Sequence, residues 1–200
     1  MAETLTRDQV LEALRALAVD LPAQADLLRE LDAAIGDGDL GITVTLGLGA
    51  LADGLPDLAT QDIATILQRS GMAFNRKAAS TFGALFATMM MRAAREARGL
   101  ESLNLADLAR MAQAAADGVM ERGQAQPGDK TMLDALVPAV DAFEKDPDHP
   151  WQSAADTAAA GRDATVPMVA RKGRASYLGQ RSAGVADPGA TSATLLLVAA

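Results

Sequence analysis

The stretch from Leu31 to Gly41, Leu-Asp-Ala-Ala-Ile-Gly-Asp-Gly-Asp-Leu-Gly, constrains this chain most. Its three carboxylates, Asp32, Asp37 and Asp39, fall within eight positions, and the glycines Gly36, Gly38 and Gly41 are interleaved with them. Acids this close repel one another unless a cation or hydrogen bonds compensate. Mg²⁺ prefers carboxylate and phosphate oxygens as ligands, and glycine lets a backbone turn sharply beside a ligand. The stretch predicts a Mg²⁺ site at a turn between two helices, built to hold a phosphorylated ligand.

This acidic stretch has two other interpretations. Asp and Gly are ordinary turn residues, so a solvated acidic loop without a ligand is the first alternative. A calcium-binding EF-hand is the second, but its twelve-residue loop ends in Glu. Counted from Asp32 the twelfth position is Thr43, and from Asp37 it is Leu48. The spacing therefore excludes the EF-hand and leaves the solvated loop open.

The composition indicates a single domain, residues 1–200, made almost entirely of helices. Half of the 200 residues are hydrophobic but only 3% are aromatic, and Ala and Leu dominate the apolar set, which favours closely packed helices. There is no cysteine, so thiolate metal sites and disulfides are excluded. The net charge of −8 argues against nucleic-acid binding. With no signal-peptide core and no run of about 20 apolar residues, we expect a cytoplasmic protein without a membrane segment.

Apolar periodicity and capping residues predict an antiparallel bundle or barrel of about eight helices. Gly54 and Pro56 are expected to end the third helix, and Pro138 to kink the seventh. The run Leu195–Ala200 is expected to be a buried end of the closing helix. The helices are predicted from Thr6 to Val19, Pro22 to Asp32, Ile42 to Ala52, Thr60 or Asp62 onward, Ala84 to Ala97, Asn104 to Glu121, Leu133 through Val140, Ser153 to Ala170, and from Ala190.

Four loops follow alternate helices of this bundle: residues 35–41, 80–83, 123–131 and 171–189. In an up-and-down bundle alternate loops lie at the same end, so we expect one composite site. Ser80 and Thr81 precede a helix and are either a phosphate contact or a plain N-cap. Arg171, Lys172 and Arg174 lie among glycines, which favours an anion-binding loop. The single histidine, His149, lies between Asp and Pro and is expected to be exposed and incidental.

Four motifs together resemble the dihydroxyacetone kinase L subunit family, DhaL, whose nucleotide-binding unit is also called the Dak2 domain. They cover essentially the whole chain in the family's order and spacing. The motifs are Leu31–Gly41, Pro127-Gly-Asp-Lys-Thr-Met132, Ala170-Arg-Lys-Gly-Arg-Ala-Ser-Tyr-Leu-Gly179 and Asp187-Pro-Gly-Ala-Thr-Ser192.

The resemblance implies an eight-helix antiparallel barrel in which Asp32, Asp37 and Asp39 hold two Mg²⁺ ions that bridge the phosphates of ADP or ATP. It implies a separate K subunit that binds the ketose covalently, and in phosphotransferase-dependent systems a multiphosphoryl protein that recharges bound ADP. It also implies a set of nucleotide-binding residues: Leu40, Gly41, Ile42, Thr43, Ser80, Thr81, Phe82, Gly123, Thr131, Met132, Arg174, Asp187, Pro188 and Gly189.

The sequence departs from the family pattern at three positions. Leu40 and Thr43 stand where the family has His and Asn, and Phe82 stands where a Ser would contact phosphate. Phosphoryl transfer depends on positioning and charge neutralisation more than on covalent chemistry from the protein, so a chain without a catalytic His or Cys is compatible with it.

Two alternative functions stay open. One is a nucleotide-binding regulatory module without transfer activity, and the other is a structural bundle that binds a partner through its acidic face.

Overall fold

The computed structural model describes residues 4–198, which form nine α-helices and one pair of two-residue strands. The predicted all-α architecture is confirmed, and the ninth helix is the predicted closing helix. None of the helices described between residues 4 and 198 is long and apolar enough to cross a membrane. The elements are β1 (Leu5–Thr6), α1 (Arg7–Asp20), α2 (Ala25–Ile35), α3 (Leu40–Leu58), α4 (Ile63–Lys77), α5 (Thr81–Glu96), β2 (Ser102–Leu103), α6 (Leu105–Gly123), α7 (Leu133–Lys145), α8 (Pro150–Ala164) and α9 (Pro188–Val198), with 3₁₀ segments at Pro22–Gln24 and Arg174–Ser182.

Side-chain caps fix where several of these helices begin. Thr6 starts α1 through a capping box with Gln9, as the sequence predicts. Asp62 starts α4 by accepting a hydrogen bond from the Thr65 N–H at 2.7 Å, so Asp62 and not Thr60 is the cap. Asn104 opens α6 as predicted, in a capping box with residue 107. Each cap satisfies N–H groups that have no partner inside the helix.

Small residues allow the helices to approach closely around two hydrophobic clusters. Gly47 of α3 lies against the ring of Phe74, since a Cβ there would meet that ring at 2.5 Å. Gly161 of α8 lies against α7, where a Cβ would be 2.2 Å from the Asp134 carbonyl oxygen. The two clusters share partly buried Phe82, Met89 and Leu108, so the apolar interior is continuous from α1 to α9.

The structure overturns two predicted helix ends. The third helix does not stop at Ala52 but runs through Gly54 and Pro56 to Leu58. Pro56 removes one backbone hydrogen bond, but Leu55 and Leu58 on the same turn are buried in the core and hold the helix together.

The eighth helix ends at Ala164 and not at Ala170. The Thr165 hydroxyl donates to the Arg162 carbonyl at 2.5 Å, and Pro167 has no N–H with which to continue the helix. The helix also begins three residues early, at Pro150, since proline is favoured in a first turn.

The end of the chain and the strand pair also differ from expectation. The predicted buried run Leu195–Ala200 is wrong within the described residues, because Leu195, Leu196 and Leu197 are half-buried and Val198 is exposed. The buried part of α9 is the small-residue stretch from Ala190 to Thr194, which packs on α7 and α8. Ala199 and Ala200 lie outside the described residues. The antiparallel pairing of β1 with β2, where no strand was expected, is two residues long.

Two glycine-to-alanine substitutions test this packing in opposite directions. Gly161→Ala should lower the free energy of unfolding by about 1–3 kcal/mol, because its methyl group would collide with a backbone carbonyl. Gly54→Ala should raise it by about 0.5–1 kcal/mol, because its methyl group meets nothing within 4 Å and alanine favours the helix. Urea unfolding of both variants measures the difference. Equal effects would contradict the close approach of α7 and α8.

Candidate functional site

Residues from all four predicted loops surround one cavity of about 270 Å³ at one end of the bundle. The predicted loop 80–83 is instead the N-cap and first turn of α5, which begins at Thr81 and not at Ala84, because Ser80 caps it. Four helices, α3, α5, α7 and α9, begin at this cavity, so the positive ends of their dipoles converge there. The lining residues are Asp32, Ile35, Gly36, Asp37, Asp39, Leu40, Ser80, Thr81, Phe82, Leu85, Val119, Gly123, Ala125, Lys130, Thr131, Met132, Leu133, Lys172, Gly173, Arg174, Ala175, Asp187, Pro188 and Gly189.

The three predicted metal ligands form a cluster at this cavity. Asp32, Asp37 and Asp39 each offer a carboxylate oxygen, and these oxygens lie within 4.8 Å of one another. Asp32 lies in the last turn of α2, as the sequence predicts. Its Oδ2 accepts hydrogen bonds from the Asp39 N–H at 2.9 Å and the Leu40 N–H at 3.2 Å. Asp32 therefore joins the end of α2 to the beginning of α3 and fixes one carboxylate of the cluster.

Two glycines make this turn possible. At Gly36 a Cβ would lie 2.2 Å from Asp32 Oδ1, so any side chain there would displace the carboxylate. Gly38 has a φ of +75°, in the left-handed region that favours glycine. These two glycines thus allow the backbone of the turn to lie close to the Asp32 carboxylate.

The electrostatics of the cluster favour a bound cation. Burial raises the pKa of Asp32, and the neighbouring charges of Asp37 and Asp39 act in the same direction. The N–H groups of Leu40 and Asp39 oppose this rise by stabilising the carboxylate. A divalent cation would compensate the remaining repulsion. The donor set, three carboxylates with two of them exposed, fits Mg²⁺, which combines a few carboxylates with water and phosphate oxygens.

Residues 172–174, where the 3₁₀ segment begins, bring positive charge to the same cavity. Lys172 and Arg174 both line it, and the Arg174 guanidinium donates to Asp37. Asp37 is thus paired across the mouth of the cavity with a residue far away in sequence. A guanidinium is also a good donor to phosphate oxygens, so Arg174 can donate either to Asp37 or to a bound phosphate.

Eleven of the fourteen predicted nucleotide-binding residues line the cavity, and Gly41, Ile42 and Thr43 do not. Gly41 packs against α2, where a Cβ would be 2.1 Å from the Ala25 carbonyl. Ile42 is 58% exposed and Thr43 is buried, so the helical period of α3 turns all three away from the cavity.

Three of the predicted nucleotide-binding residues that line the cavity, Leu40, Ser80 and Phe82, also pack in the core or cap a helix. Leu40 is buried in the core. The ring of Phe82 lies 6.2 Å from that of Phe74. Ser80 accepts from the Gly83 N–H at 3.0 Å, which is the N-cap geometry. His149, as predicted, is exposed, and it does not line the cavity.

Two buried polar residues at the cavity are not among the predicted site residues: Lys130, which lines it, and Asp134, which lies behind the lining. The Asp134 carboxylate accepts from the Gly128 N–H at 2.5 Å and the Thr131 N–H at 2.7 Å, which fixes the loop before α7. The spacing Thr131-x-x-Asp134 is that of a capping box and could have revealed this role. Lys130 has 1% of its surface exposed, and nothing in its sequence pattern indicates that it is buried.

Asp187 fixes the beginning of α9. Its Oδ1 accepts from the Ala190 N–H at 2.7 Å, and its own N–H donates to the Thr165 hydroxyl at 2.8 Å. Burial raises the pKa of Asp187 to about 7, and the charge of Asp134 adds to the rise while Lys130 opposes it. Burial in turn lowers the pKa of Lys130, an effect that Asp187 opposes. Two acids and one base thus share the buried floor of the cavity.

The raised pKa of Asp187 predicts how stability depends on pH. Between about pH 4 and 7 the folded chain retains a proton on Asp187 that the unfolded chain has released. Stability therefore falls as the pH rises through this window, by at most about 1.4 kcal/mol per pH unit from this group. Asp187→Asn should remove this fall. The free energy of unfolding of the variant minus that of the wild type should therefore be larger at pH 7 than at pH 4, by at least about 2 kcal/mol.

Urea unfolding at pH 4 and pH 7 measures this change. The control is Asp57→Asn, which changes an exposed aspartate at the other end of α3 and should leave the pH dependence as in the wild type. A difference between Asp187→Asn and the wild type that is the same at both pH values would contradict the prediction.

Comparison with known proteins identifies the family to which the chain belongs. Residues 34–200 match the DAK2 domain family. The chain is 37% identical over 200 residues, 97% of its length, to the ADP-binding subunit DhaL of the PEP-dependent dihydroxyacetone kinase of Escherichia coli K12, and it covers 95% of that protein.

Two solved structures of the dihydroxyacetone kinase of C. freundii are similar over 100% of this chain. The native form has a TM-score of 0.78 at 23% identity, and this chain covers 35% of it. The complex with AMP-PNP and Mg²⁺ has a TM-score of 0.73 at 25% identity, and this chain covers 34% of it. The acidic cluster and the cavity thus lie in a fold shared with a kinase, and the family match covers most of the sequence. The chain belongs to the DAK2 domain family.

Proposed function

We propose that this chain is the Mg²⁺-dependent ADP- or ATP-binding subunit of a kinase for dihydroxyacetone or a related small ketose. One observation carries the proposal: three carboxylate oxygens lie within 4.8 Å of one another at a cavity where four helices begin. Carboxylates suit a hard cation, and helix N-termini suit the phosphates that accompany it. The likeness to an ADP-binding subunit and to a kinase solved with AMP-PNP and Mg²⁺ supports the same function.

In this proposal Asp32, Asp37 and Asp39 hold two Mg²⁺ ions. Bound Mg²⁺ neutralises charge on the phosphate oxygens of the nucleotide. Asp32 is already oriented by the N–H groups of Asp39 and Leu40, so it needs no rearrangement. Asp37 is paired with Arg174, and as a cation ligand it would leave the guanidinium free to donate to a phosphate.

The rest of the nucleotide occupies the other walls of the cavity. Apolar side chains of Leu85, Val119 and Met132 line it, and we assign them with Gly123 to the base and ribose. Lys172 and Arg174 supply positive charge for the phosphates. The eleven predicted nucleotide-binding residues that line the cavity act by direct contact in this proposal. Gly41, Ile42 and Thr43 act indirectly, by packing the first turns of α3.

The acceptor hydroxyl comes from another protein in this proposal. Within residues 4–198 no histidine or cysteine lines the cavity, and phosphoryl transfer requires no nucleophile from the nucleotide-binding side. We propose that a separate K subunit holds the ketose and that residues 1–200 act as one nucleotide-binding domain. ATP, or a phosphotransferase protein that recharges bound ADP, supplies the phosphoryl group.

Substitution of single ligands tests the metal site. Asp37→Asn and Asp39→Asn should each weaken the binding of Mg-ADP by at least about 30-fold, roughly 2 kcal/mol, because each removes one charged ligand. The two variants distinguish the loss of a cation ligand from the loss of the ion pair with Arg174, since only Asp37 contacts Arg174. Asp57→Asn is the matched control and should bind like the wild type. Calorimetric titration with and without Mg²⁺ measures all four proteins.

Each outcome of this titration has a defined meaning. Loss of binding in Asp37→Asn alone would assign the effect to Arg174 and contradict the proposed metal ligands. Binding of ADP that needs no Mg²⁺ would contradict the site as a whole. No binding by the wild type would favour the structural bundle. Tight retention of ADP would favour recharging by a phosphotransferase protein, and readily exchanged ATP would favour direct use.

A transfer assay separates the kinase subunit from the regulatory module. That alternative is favoured by one observation, the apolar ring of Phe82 at a position that lines the cavity. We expect no phosphorylation of dihydroxyacetone by the chain with ATP alone, and phosphorylation once a purified K subunit is added. Phe82→Ser should change this rate less than tenfold, after urea unfolding has confirmed that the variant folds. A wild type without activity that Phe82→Ser restores would establish the regulatory module.

A further inference from the structure

Lys130 is an unusual buried residue, because its charge is enclosed without a hydrogen-bonded carboxylate. Only 1% of its surface is exposed. Its Nζ donates to three backbone carbonyl oxygens, of Met168 at 3.1 Å, Ser182 at 2.7 Å and Val185 at 2.7 Å. An ammonium group has three donors, so all of them are used. Its backbone has a φ of +62°, a conformation that non-glycine residues seldom adopt.

The three carbonyls belong to the two ends of one long segment, residues 168–185. We call the place where these ends meet the neck of the segment. Two further hydrogen bonds lie at the neck: the Arg171 N–H donates to the Asp129 carbonyl at 3.0 Å, and the Ala170 N–H donates to Ser182 Oγ at 2.9 Å. Beyond the neck the segment is held less firmly, since Arg174, Tyr177 and Arg181 are all exposed.

This segment carries the positive charges of the proposed site. Lys172 and Arg174 line the cavity, and Arg174 reaches across it to Asp37. A long segment of this kind loses conformational entropy when it is ordered, and a ligand binds more weakly if binding has to supply that ordering. Hydrogen bonds to the ammonium order the neck before any ligand binds. An apolar side chain of the same length would fill the space but would leave three carbonyls without a donor.

We infer that Lys130 is a positioning residue that holds the neck of segment 168–185, so that Lys172 and Arg174 stand at the cavity in the ligand-free chain. The effect of Lys130 on nucleotide binding is exerted through these two cations and not through the carboxylate cluster. The link to nucleotide binding rests on the proposed function, whereas the link to the order of the segment does not.

Limited proteolysis tests the order of the segment without any nucleotide. Trypsin cleaves after Lys and Arg, and residues 171–181 offer four such positions. Lys130→Met should be cleaved within this stretch at least tenfold faster than the wild type. Lys145→Met is the matched control on the same loop–helix unit. It removes an exposed lysine that pairs with Asp141, and it should be cleaved at the wild-type rate.

Ser182→Ala is a second variant of the neck that retains the lysine. It removes the hydroxyl that accepts from the Ala170 N–H and should increase cleavage in the same stretch about threefold or more. It decides the question if Lys130→Met does not fold. Unchanged cleavage in the variant that folds would overturn the inference.

A double-substitution experiment tests whether Lys130 acts through the cations. Lys130→Met and Arg174→Met should each weaken Mg-ADP binding at least fivefold. The double variant should be weakened by clearly less than the product of the two factors, because Arg174 is no longer positioned once Lys130 is lost. Binding of Mn²⁺ alone should stay within twofold of the wild type in Lys130→Met.

Two results would overturn this inference: multiplied effects in the double variant, or a parallel loss of Mn²⁺ binding in Lys130→Met. The proteolysis and the titrations also separate the two proposals. A wild type that does not bind Mg-ADP would remove the proposed function, while tryptic cleavage would still decide whether Lys130 orders the segment.

Discussion

The carboxylate of Asp32 is the contact on which the site depends. It accepts N–H groups from the first turn of α3 while it stands in the last turn of α2, so it sets the direction in which one helix follows the other. The same contact explains why a cluster of acids is tolerated, because helix N–H groups stabilise negative charge. This contact requires glycine at position 36, since a Cβ there would lie 2.2 Å from Asp32 Oδ1. The side chain that we propose as a metal ligand is thus also a structural cap.

Two other aspartates repeat this arrangement around the cavity. Asp134 accepts from the loop before α7, and Asp187 accepts from the first turn of α9. Each fixes a helix beginning that faces the cavity, and each is buried, whereas Asp37 and Asp39 are exposed. Burial therefore separates Asp134 and Asp187, which only shape the cavity, from Asp37 and Asp39, which are accessible to a cation. The half-buried Asp32 belongs to both sets. Although the chain carries a net charge of −8, the converging N-termini and the Lys172–Arg174 stretch give an anion a favourable place.

Local chemistry was predictable from the sequence, and its tertiary consequences were not. The caps at Thr6, Asp62 and Asn104 and the turn at Gly36 follow from rules that involve neighbouring residues. The extension of α3 through Pro56 depends on the burial of Leu55 and Leu58, a tertiary effect that outweighs a helix breaker. The burial of Lys130 depends on carbonyls 38 to 55 residues away. The displacement of Gly41, Ile42 and Thr43 from the cavity follows from the helical period of α3, which a motif comparison does not resolve.

The two charged halves of the site are held to different degrees. The acidic half is a short turn between two helices, fixed by two hydrogen bonds to a half-buried carboxylate. The basic half is a long segment fixed at its neck, and its outer residues include the 91% exposed Tyr177. Segments with few buried contacts open at a lower free energy than helix ends within the core. The basic half is therefore the part of the site that we expect to move first, whereas the turn that holds the carboxylates keeps its geometry. In the proposed function this difference would let Arg174 leave Asp37 for a phosphate without disturbing Asp32.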